Sequence, residues 1–268
     1  MPSIRPLSLA LLALSLTQVT VQADQLDDIK ARDVLVVGTN ADAPPFGFQN
    51  PDKTISGYDV DFAALVAKKI GVKLTVQNLD PADRIGMLKS GKVDLIVATM
   101  TKTAERERQV DFSLGYFVTG QKVLAKKGRF PDVNALQGAT IGVARGTTSE
   151  TQFRQLFPKT VLISMNDTHQ AVQFMQEGKI EGVTGDEPAL AGLLNKLPNR
   201  GQYEFSTFSL STEAYGIAVK KGEKRMLKIV NDALTEAEAN GEATRIFNRW
   251  FGPNSTTPLV RIFKIQNY

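Results

Sequence analysis

Charged and hydroxyl side chains recur at three points of the chain, each shortly after an apolar strand pattern. Arg106 lies soon after Thr101, the run Gly146-Thr147-Thr148-Ser149 leads into a helical pattern, and Asp186 follows a further strand pattern. An arginine with nearby hydroxyl and backbone N–H groups suits a carboxylate, and an aspartate suits an ammonium group. A free amino acid carries both charges, and its binder must neutralise both because buried unpaired charge is unfavourable. These residues together predict a site for one free amino acid.

Each of these residues also has a simpler structural explanation. Arg106 could be a surface charge on a helix, and Thr147 or Thr148 could be a helix N-cap. Asp186 could serve a turn ahead of Pro188. Their joint placement at corresponding strand ends favours the binding hypothesis over three separate explanations, because ligands of open α/β sheets lie at the carboxyl ends of strands.

The composition excludes several kinds of catalytic site. The chain has one histidine, His169, and no cysteine. A multi-histidine metal site, a thiolate metal site, a disulfide and a cysteine nucleophile are therefore excluded. We expect no catalytic residue, no metal and no cofactor, although the adjacent Asp186 and Glu187 are a carboxylate pair close to the predicted site.

The charge pattern argues against a nucleic-acid partner. The formal net charge is +4, and the basic residues are spread among acids. The densest basic patch, Glu105-Arg106-Glu107-Arg108, alternates in sign as a solvated helix face does.

The first residues have the features of an export signal. Arg5 supplies a positive charge and residues 7–16 form an apolar run. Val21-Gln22-Ala23 resembles the small-residue motif that precedes a signal-peptide cleavage site. The run is too short to span a bilayer, which needs about 20 apolar residues. We therefore predict a signal peptide over residues 1–23, cleavage after Ala23 and a periplasmic location.

The rest of the chain alternates between strand and helix patterns. Strands are predicted over residues 34–38, 72–76, 93–98, 139–143, 160–164, 179–184 and 214–219. Helices are predicted to end at Gly71, to span residues 82–90, 168–177, 226–239 and 243–251, and to start at Ser149. The alternation restarts near residue 139, which indicates an α/β fold with two mostly parallel sheets.

Two short phrases match across this restart. Residues 88–94 (Leu-Lys-Ser-Gly-Lys-Val-Asp) and residues 175–181 (Met-Gln-Glu-Gly-Lys-Ile-Glu) share a Gly-Lys-aliphatic-acid ending. Each phrase has the pattern of a helix end, a glycine stop and the start of a buried strand. The strands that follow lead to Thr99 and to Asp186. If the two sheets face each other, these two edges line one cleft.

Several segments resemble the polar amino-acid binding proteins of ABC importers, from about residue 34 to 251. The resembling segments are Gly57-Tyr58-Asp59-Val60-Asp61, Thr101-Lys102-Thr103-Ala104-Glu105-Arg106, Asp111-Phe112-Ser113, Gly146-Thr147-Thr148-Ser149 and Gly185-Asp186. The resemblance implies a two-lobed, type II periplasmic-binding-protein fold, each lobe a central sheet flanked by helices. It implies crossing strands near Gly120 and Ser209, with lobe 1 over residues 24–119 and 210–268 and lobe 2 over residues 120–209.

The resemblance also implies roles for individual residues. Arg106 is similar to the arginine that holds the ligand α-carboxylate in this family, assisted by Thr101 and Thr148. Asp186 and the backbone carbonyl of Thr99 are similar to the groups that receive the α-ammonium. Thr147 lies in the same run as Thr148 and is included with it, and Tyr58 is similar to a pocket wall. Many members carry an aromatic residue that covers the ligand where this chain has Ala43.

The side chain of the ligand is less closely specified. Asp83-Arg84-Ile85 and Glu213-Ala214-Tyr215-Gly216 resemble the glutamate and aspartate branch, in which an arginine at the position of Arg84 meets a second carboxylate. Arg145 could add a further cation, whereas Asn40 favours neither charge. Glutamate or aspartate is therefore expected, with a neutral polar amino acid such as glutamine as the alternative.

The resemblance implies a non-enzymatic monomer that passes one amino acid to a membrane permease. The competing hypothesis is a lyase, since cyclohexadienyl dehydratases resemble these binders and a fold alone does not fix a function. Such an enzyme needs a positioned acid, for which Glu187 and Glu213 are the candidates.

Overall fold

A computed structural model describes residues 24–268, and the predicted signal peptide over residues 1–23 lies outside the described residues. The helices are α1 Gln25–Ala31, α2 Tyr58–Ile70, α3 Arg84–Lys89, α4 Ala104–Glu107, α5 Thr148–Leu156, α6 Thr168–Gln176, α7 Glu187–Leu194, α8 Lys224–Ala239 and α9 Glu242–Phe251, with short 3-10 helices at Val133–Leu136 and Arg200–Gln202. The strands are β1 Val34–Thr39, β2 Asp42–Ala43, β3 Gly47–Gln49, β4 Ile55–Ser56, β5 Lys73–Asn78, β6 Leu95–Ile96, β7 Val110–Lys126, β8 Thr140–Ala144, β9 Val161–Met165, β10 Gly182–Asp186, β11 Tyr203–Phe205 and β12 Ser211–Lys220. Within residues 24–268, no helix combines the length and the apolarity that a membrane span needs.

The main strands pair in the order β5-β1-β6-β12-β7-β10-β8-β9. We call β5, β1 and β6 the first wing, and β10, β8 and β9 the second wing; within each wing the strands are parallel. The sequence predicts two separate sheets, but the hydrogen-bond ladder is continuous. The reason is β7, which is 17 residues long, pairs antiparallel with β12, and continues into pairing with β10. The α/β class, with helices beside mostly parallel strands, is as predicted.

The two matching phrases form the same local structure in the two wings. In the first, Gly91 has φ +75° and Asp94 accepts a hydrogen bond from the Val36 N–H while pairing with Arg32. In the second, Gly178 has φ +72°, and Glu181 accepts from the Thr140 N–H and pairs with Arg129. Each acid therefore ties the start of its strand to the neighbouring strand, so the amino ends of β6 and β10 are anchored in the same way.

Each wing has its own apolar core. Around the first wing, α2, α8 and α9 pack against the sheet, and their buried faces include Phe62, Val230 and Phe247. Around the second wing, α5, α6 and α7 supply buried residues such as Phe153 and Leu190. Two cores joined by long strands fit the two-lobed architecture of the structures described below.

Aromatic rings fill the first core where β7 and β12 cross it. The Phe117 ring lies 4.9 Å from that of Phe46, 5.2 Å from that of Phe251 and 5.6 Å from that of Tyr215, measured between centroids. Rings at such distances and tilts add about 0.5–1.5 kcal/mol per pair to the burial of their area. Phe117 therefore joins the crossing strands to α9.

Phe117→Ala should lower the free energy of unfolding by about 3–5 kcal/mol, because it removes a buried ring and leaves a cavity that the neighbouring rings cannot fill. Urea denaturation followed by circular dichroism measures this loss. Leu156→Ala is the control, since Leu156 is 56% exposed and surface changes stay within about 0.5 kcal/mol. Equal losses in the two variants would contradict a core centred on Phe117.

Candidate functional site

A narrow cleft lies between the two wings. It is lined by residues from both wings and from the β2 segment: Asn40, Asp42, Ala43, Pro81, Arg84, Thr99, Thr101, Arg106, Ala144, Thr147, Thr148, Ser149, Thr168, Thr184, Gly185, Asp186 and Ala189. Strand ends and helix starts dominate this lining, as expected for the carboxyl edges of parallel strands.

Arg106 reaches across the cleft between the wings. Its Nη1 donates to the Thr101 carbonyl at 2.8 Å, and its Nη2 donates to the Gly146 carbonyl at 3.1 Å. Burial lowers the pKa of the guanidinium, and Glu213 and Asp186 oppose that shift. Because a guanidinium has five N–H donors, Arg106 keeps donors for a ligand while its position is fixed.

Arg84 lies deeper, with only 3% of its surface exposed. Its Nε donates to the Pro81 carbonyl and its Nη1 to the Ala98 carbonyl, both at 2.9 Å, while its Nη2 donates to the Gly146 carbonyl at 3.2 Å. Burial, with a smaller effect of Arg106, lowers its pKa to about 9. Arg84 therefore lines the cleft, as expected, but backbone carbonyls occupy three of its donors.

The start of α5 faces the same part of the cleft. Thr147 is its N-cap, and the Thr147 hydroxyl accepts from the Glu150 N–H at 3.2 Å. The Thr148 hydroxyl donates to Glu213 Oε2 at 2.8 Å and accepts from Gln121 Nε2 at 3.0 Å. The first N–H groups of a helix have no acceptor inside it and favour an anion. Thr147 is therefore a helix N-cap, and both Thr147 and Thr148 also lie at the site, as predicted.

Asp186 lies in the second wing, where β10 ends and α7 begins. Its Oδ2 accepts from the Tyr215 hydroxyl at 2.5 Å, and its buried Oδ1 has no hydrogen-bond partner anywhere in residues 24–268. Burial, and then the nearby charge of Glu213, raises the pKa of Asp186 to about 7, against the opposing effects of the Tyr215 hydrogen bond, Arg84 and Arg106. A buried carboxylate oxygen without a hydrogen-bond partner suits a cationic donor such as an ammonium group.

Thr99 reaches the cleft in a strained backbone conformation. Its φ is +45°, which is uncommon for a β-branched residue. The Thr99 N–H donates to Asp59 Oδ2 at 2.8 Å, and Asp59 Oδ1 accepts from the Tyr116 hydroxyl at 2.7 Å. Asp59 is 1% exposed, and burial raises its pKa to about 7. The buried carboxylate therefore holds Thr99 at the edge of the cleft, with further support from Asn40 Nδ2 at 3.3 Å from the Thr99 hydroxyl.

Two predicted site residues lie outside the cleft. Tyr58 is fully buried in the first core, where its hydroxyl donates to the Tyr116 carbonyl at 2.9 Å. As the first residue of α2 it faces the core, so the prediction of a pocket wall is wrong. Arg145 is exposed and donates to Asn166 Oδ1 at 2.5 Å. It contributes no cation to the lining, which corrects its inclusion among the predicted ligand contacts.

Two glycines allow the wings to approach each other. A Cβ on Gly146 would lie 2.6 Å from Ala82 Cα, and a Cβ on Gly192 would lie 1.9 Å from the Pro44 carbonyl oxygen. Any side chain at either position would therefore force the wings apart. Ala43, beside Pro44, lines the cleft and lies on β2, which packs against α7, so only a small side chain covers the cleft at this position.

The sequence prediction missed Asp42 and Thr184 and left Asn40 without a role. All three line the cleft, and the Asn40 Oδ1 and the Thr184 hydroxyl oxygen are buried without a partner in the described part of the chain. Thr184 could have been found, because it directly precedes Gly185-Asp186 at a strand end. Asp42 lies in a strand of two residues, which gives no periodic signal.

The arrangement can neutralise two opposite charges on one small molecule. Arg106 and the start of α5 supply cationic and N–H donors, whereas Asp186 supplies an unpaired acceptor. Across residues 24–268, no three histidine or acidic side chains cluster in a way that could hold a metal ion. The geometry therefore suits recognition of a zwitterion.

Comparison with known proteins places the chain among binding proteins. A model of the bacterial extracellular solute-binding proteins, family 3, matches residues 35–253. The ABC transporter glutamine-binding protein GlnH of Bacillus subtilis (strain 168) is 34% identical over 233 residues, which cover 85% of this chain and 84% of that protein. The glutamate/aspartate import solute-binding protein of Escherichia coli (strain K12) is 28% identical over 262 residues, or 90% and 87%.

A solved structure is similar to this chain in both fold and sequence. An ancestral arginine-binding protein bound to glutamine superposes with a TM-score of 0.79 at 36% identity, covering 82% of this chain and 99% of that one. The family match spans most of the chain, including both wings and the crossing strands β7 and β12. The chain therefore belongs to the bacterial extracellular solute-binding proteins of family 3.

Proposed function

We propose that this protein captures one free amino acid in the cleft and delivers it to the membrane permease of an ABC importer. The observation that carries the proposal is the unpaired, buried Oδ1 of Asp186 opposite the guanidinium of Arg106. A zwitterion satisfies both groups at once, whereas water or a simple anion satisfies one. The names of the glutamine-binding and arginine-binding relatives support the same ligand class.

In this proposal the α-carboxylate lies at the start of α5. Arg106 donates its remaining N–H groups, and Thr101 assists with its hydroxyl, 3.5 Å from that of Thr148. Thr148 assists with its backbone N–H at the start of α5, because its one hydroxyl proton is donated to Glu213. Thr147 keeps the first turn of α5 in place through its N-cap hydrogen bond. Charge-assisted bonds from a guanidinium are about twice as strong as neutral ones, so Arg106 contributes most.

The α-ammonium lies at Asp186 and the Thr99 carbonyl. Both face the cleft, and the Asp59 carboxylate fixes the Thr99 backbone through its N–H. Since Thr99 belongs to the first wing and Asp186 to the second, the ammonium contacts both. Binding therefore favours the closed form, in which a single ligand reaches both sets of partners.

The two wings act as the lobes of a monomeric binding protein. We assign residues 24–119 and 210–268 to lobe 1 and residues 120–209 to lobe 2, because the crossing of β7 and β12 next to Gly120 separates the two apolar cores. Residues 1–23 direct export to the periplasm, in agreement with the extracellular family to which the chain belongs.

A neutral polar amino acid, with glutamine as the leading candidate, fits the cleft better than glutamate or aspartate. The expected acidic ligand rests on Arg84, but three carbonyl oxygens already accept from that guanidinium. The charged residues of the lining are Arg84, Arg106, Asp42 and Asp186, whose formal charges balance. A net-neutral ligand keeps that balance, whereas an acidic ligand adds an uncompensated charge.

The geometry gives a lyase weak support. Glu213 accepts hydrogen bonds from Gln121, Gln152, Ser211 and Thr148, so both of its oxygens are already held by side chains of the protein. Glu187 lies 3.5 Å from the Lys122 ammonium and does not line the cleft. We therefore propose that the bound amino acid leaves unchanged.

One or a few L-amino acids should raise the melting temperature of the mature protein, while most others should not. Because a ligand at about 100 times its Kd stabilises the native state by about 2.7 kcal/mol, a thermal-shift screen of the twenty amino acids detects micromolar binding. Prephenate and arogenate belong in the same screen, with product analysis. A flat response to all amino acids would overturn the proposed function, and turnover of either cyclohexadienyl acid would replace it by the lyase.

Arg106→Ala and Asp186→Asn should each weaken the best ligand at least about thirtyfold, because each leaves one charge of the zwitterion desolvated without its partner. Isothermal titration calorimetry measures the change. Arg145→Ala is the matched control for Arg106, since this exposed arginine bonds Asn166 away from the cleft. Unchanged affinity in Asp186→Asn, or an equal loss in Arg145→Ala, would contradict the assignment.

Affinity should fall as the pH drops below about 7, because the ammonium binds the ionised form of Asp186, whose pKa burial raises to about 7. Binding at neutral pH should therefore release part of a proton, seen as a calorimetric enthalpy that varies with the ionisation enthalpy of the buffer. The Asp186→Asn variant should lose most of this dependence. A proton release that persists in the variant would assign it to another group.

A further inference from the structure

The β2 segment brings an acidic side chain to the cleft, where Asp42 lines the same space as Arg106 and Asp186. Asp42 lies three residues after β1 ends at Thr39, and β2 packs against α6 and α7 of the second wing. No salt bridge in residues 24–268 involves Asp42. Its carboxylate is thus an acceptor of the lining that has no cationic partner.

A second acceptor faces the same space. Asn40 is 6% exposed, and its Nδ2 donates to the Thr99 hydroxyl, which fixes the orientation of the amide. Its Oδ1 is buried and has no hydrogen-bond partner in the described chain. A buried carbonyl oxygen without a donor is unfavourable by about 1–3 kcal/mol, so a ligand that supplies an N–H group would remove that penalty.

Part of the donor capacity of the lining is already used, in contrast to these acceptors, and Arg84 keeps two of its five N–H groups. Arg84 donates to three carbonyl oxygens, and Arg106 donates to the Thr101 and Gly146 carbonyls and serves the α-carboxylate in the proposed function. A carboxylate on the ligand side chain would therefore meet the acceptors of Asp42 and Asn40 with few free donors.

We propose that Asp42 and the Asn40 side-chain carbonyl form the side-chain subsite, which selects amino acids that end in a planar N–H donor, a carboxamide or a guanidinium, and rejects glutamate and aspartate. This inference rests on the proposed function, since it takes the Arg106 and Asp186 contacts as the anchor of the ligand. Asp42 is then the residue that sets the charge preference of the cleft.

The surroundings of Asp42 make this preference depend on pH. The charged groups on the elements packed against β2 are Asp167 and His169 at the start of α6 and Asp186 and Glu187 at the start of α7, and Asp80 lies in the nearby loop. Burial, and then the charges of Asp167 and Asp80, raises the pKa of Asp42 to about 6, against the lowering effect of backbone N–H groups. Rejection of acidic ligands should therefore weaken as the pH falls through 6.

Titration calorimetry at pH 7.5 with glutamine, arginine and glutamate tests the subsite. The wild type should bind glutamine or arginine at least about thirtyfold more tightly than glutamate, and the stronger of the two identifies the donor group. Asp42→Asn should reduce that ratio at least about tenfold, mainly by improving glutamate, because the like charge is removed. Asp28→Asn is the matched control: it makes the same change on an exposed residue of α1 outside the lining, and its ratio should stay within about twofold of wild type.

A wild type that prefers glutamate, or a ratio unchanged in Asp42→Asn, would overturn the subsite while leaving the amino-acid function intact. Absence of binding by every amino acid would instead overturn the proposed function. If Asp42→Asn does not fold, the wild-type ratio of glutamine or arginine to glutamate at pH 7.5 and pH 5 replaces it. That ratio should be smaller at pH 5 than at pH 7.5. Protonation of Asp186 does not change the ratio, because it weakens the contact with the α-ammonium equally for all these ligands. A ratio independent of pH would overturn the role of Asp42.

Discussion

Charge buried between the two wings is the constraint on which the rest of the site depends. Arg84 and Arg106 from the first wing both donate to the Gly146 carbonyl of the second, and Asp186 accepts from Tyr215 on a crossing strand. Burial shifts the pKa of both arginines downward and that of Asp186 upward, toward the neutral forms. Such groups tolerate burial only with fixed hydrogen-bond partners, and these partners are the strand ends and helix starts that the fold supplies.

The burial of charge also explains why the first core, which is otherwise apolar, contains a carboxylate next to the cleft. Asp59 is buried among aromatic side chains, yet both of its oxygens are occupied by the Thr99 N–H and the Tyr116 hydroxyl. A carboxylate in such a place adds little stability. Its effect is to hold Thr99 at a positive φ, which a β-branched residue rarely adopts without outside support. The Asp59 carboxylate therefore fixes the position of the cleft edge and contributes little to the stability of the core.

Much of the architecture could be predicted from the sequence because it is encoded locally. Glycines follow the ends of α2 at Gly71 and of the helices in the two matching phrases at Gly91 and Gly178, and a strand starts shortly after each of them. The rule that ligands lie at the carboxyl ends of strands predicts one cleft for Arg106 and Asp186 if the two halves face each other. Their ligand contacts remain predictions, whereas the structure places both in the lining of one cleft.

The remainder could not be predicted because it depends on contacts between distant segments. The 17 residues of β7 contain Gly115 and Gly120, which interrupt a strand pattern, so their membership of one continuous strand becomes visible only through pairing with β12. Tyr58 follows a glycine at a helix start, and only packing decides whether such a residue faces the core or a cleft. Asp42 gives no periodic signal, since two residues are too few to define a period.

The unbroken pairing of β7 with β12 has a mechanical consequence. Because the two strands stay hydrogen-bonded through the crossing, the wings cannot slide past each other, and the soft deformation left to them is torsion of a two-stranded ribbon. Irregular register between Tyr215 and Ala218 is where such a ribbon twists most easily, since bulges raise local twist. Tyr215 also donates a hydrogen bond to Asp186, so twisting of the two strands moves a side chain of the cleft. A small rotation at this point displaces the far ends of both wings by a larger distance.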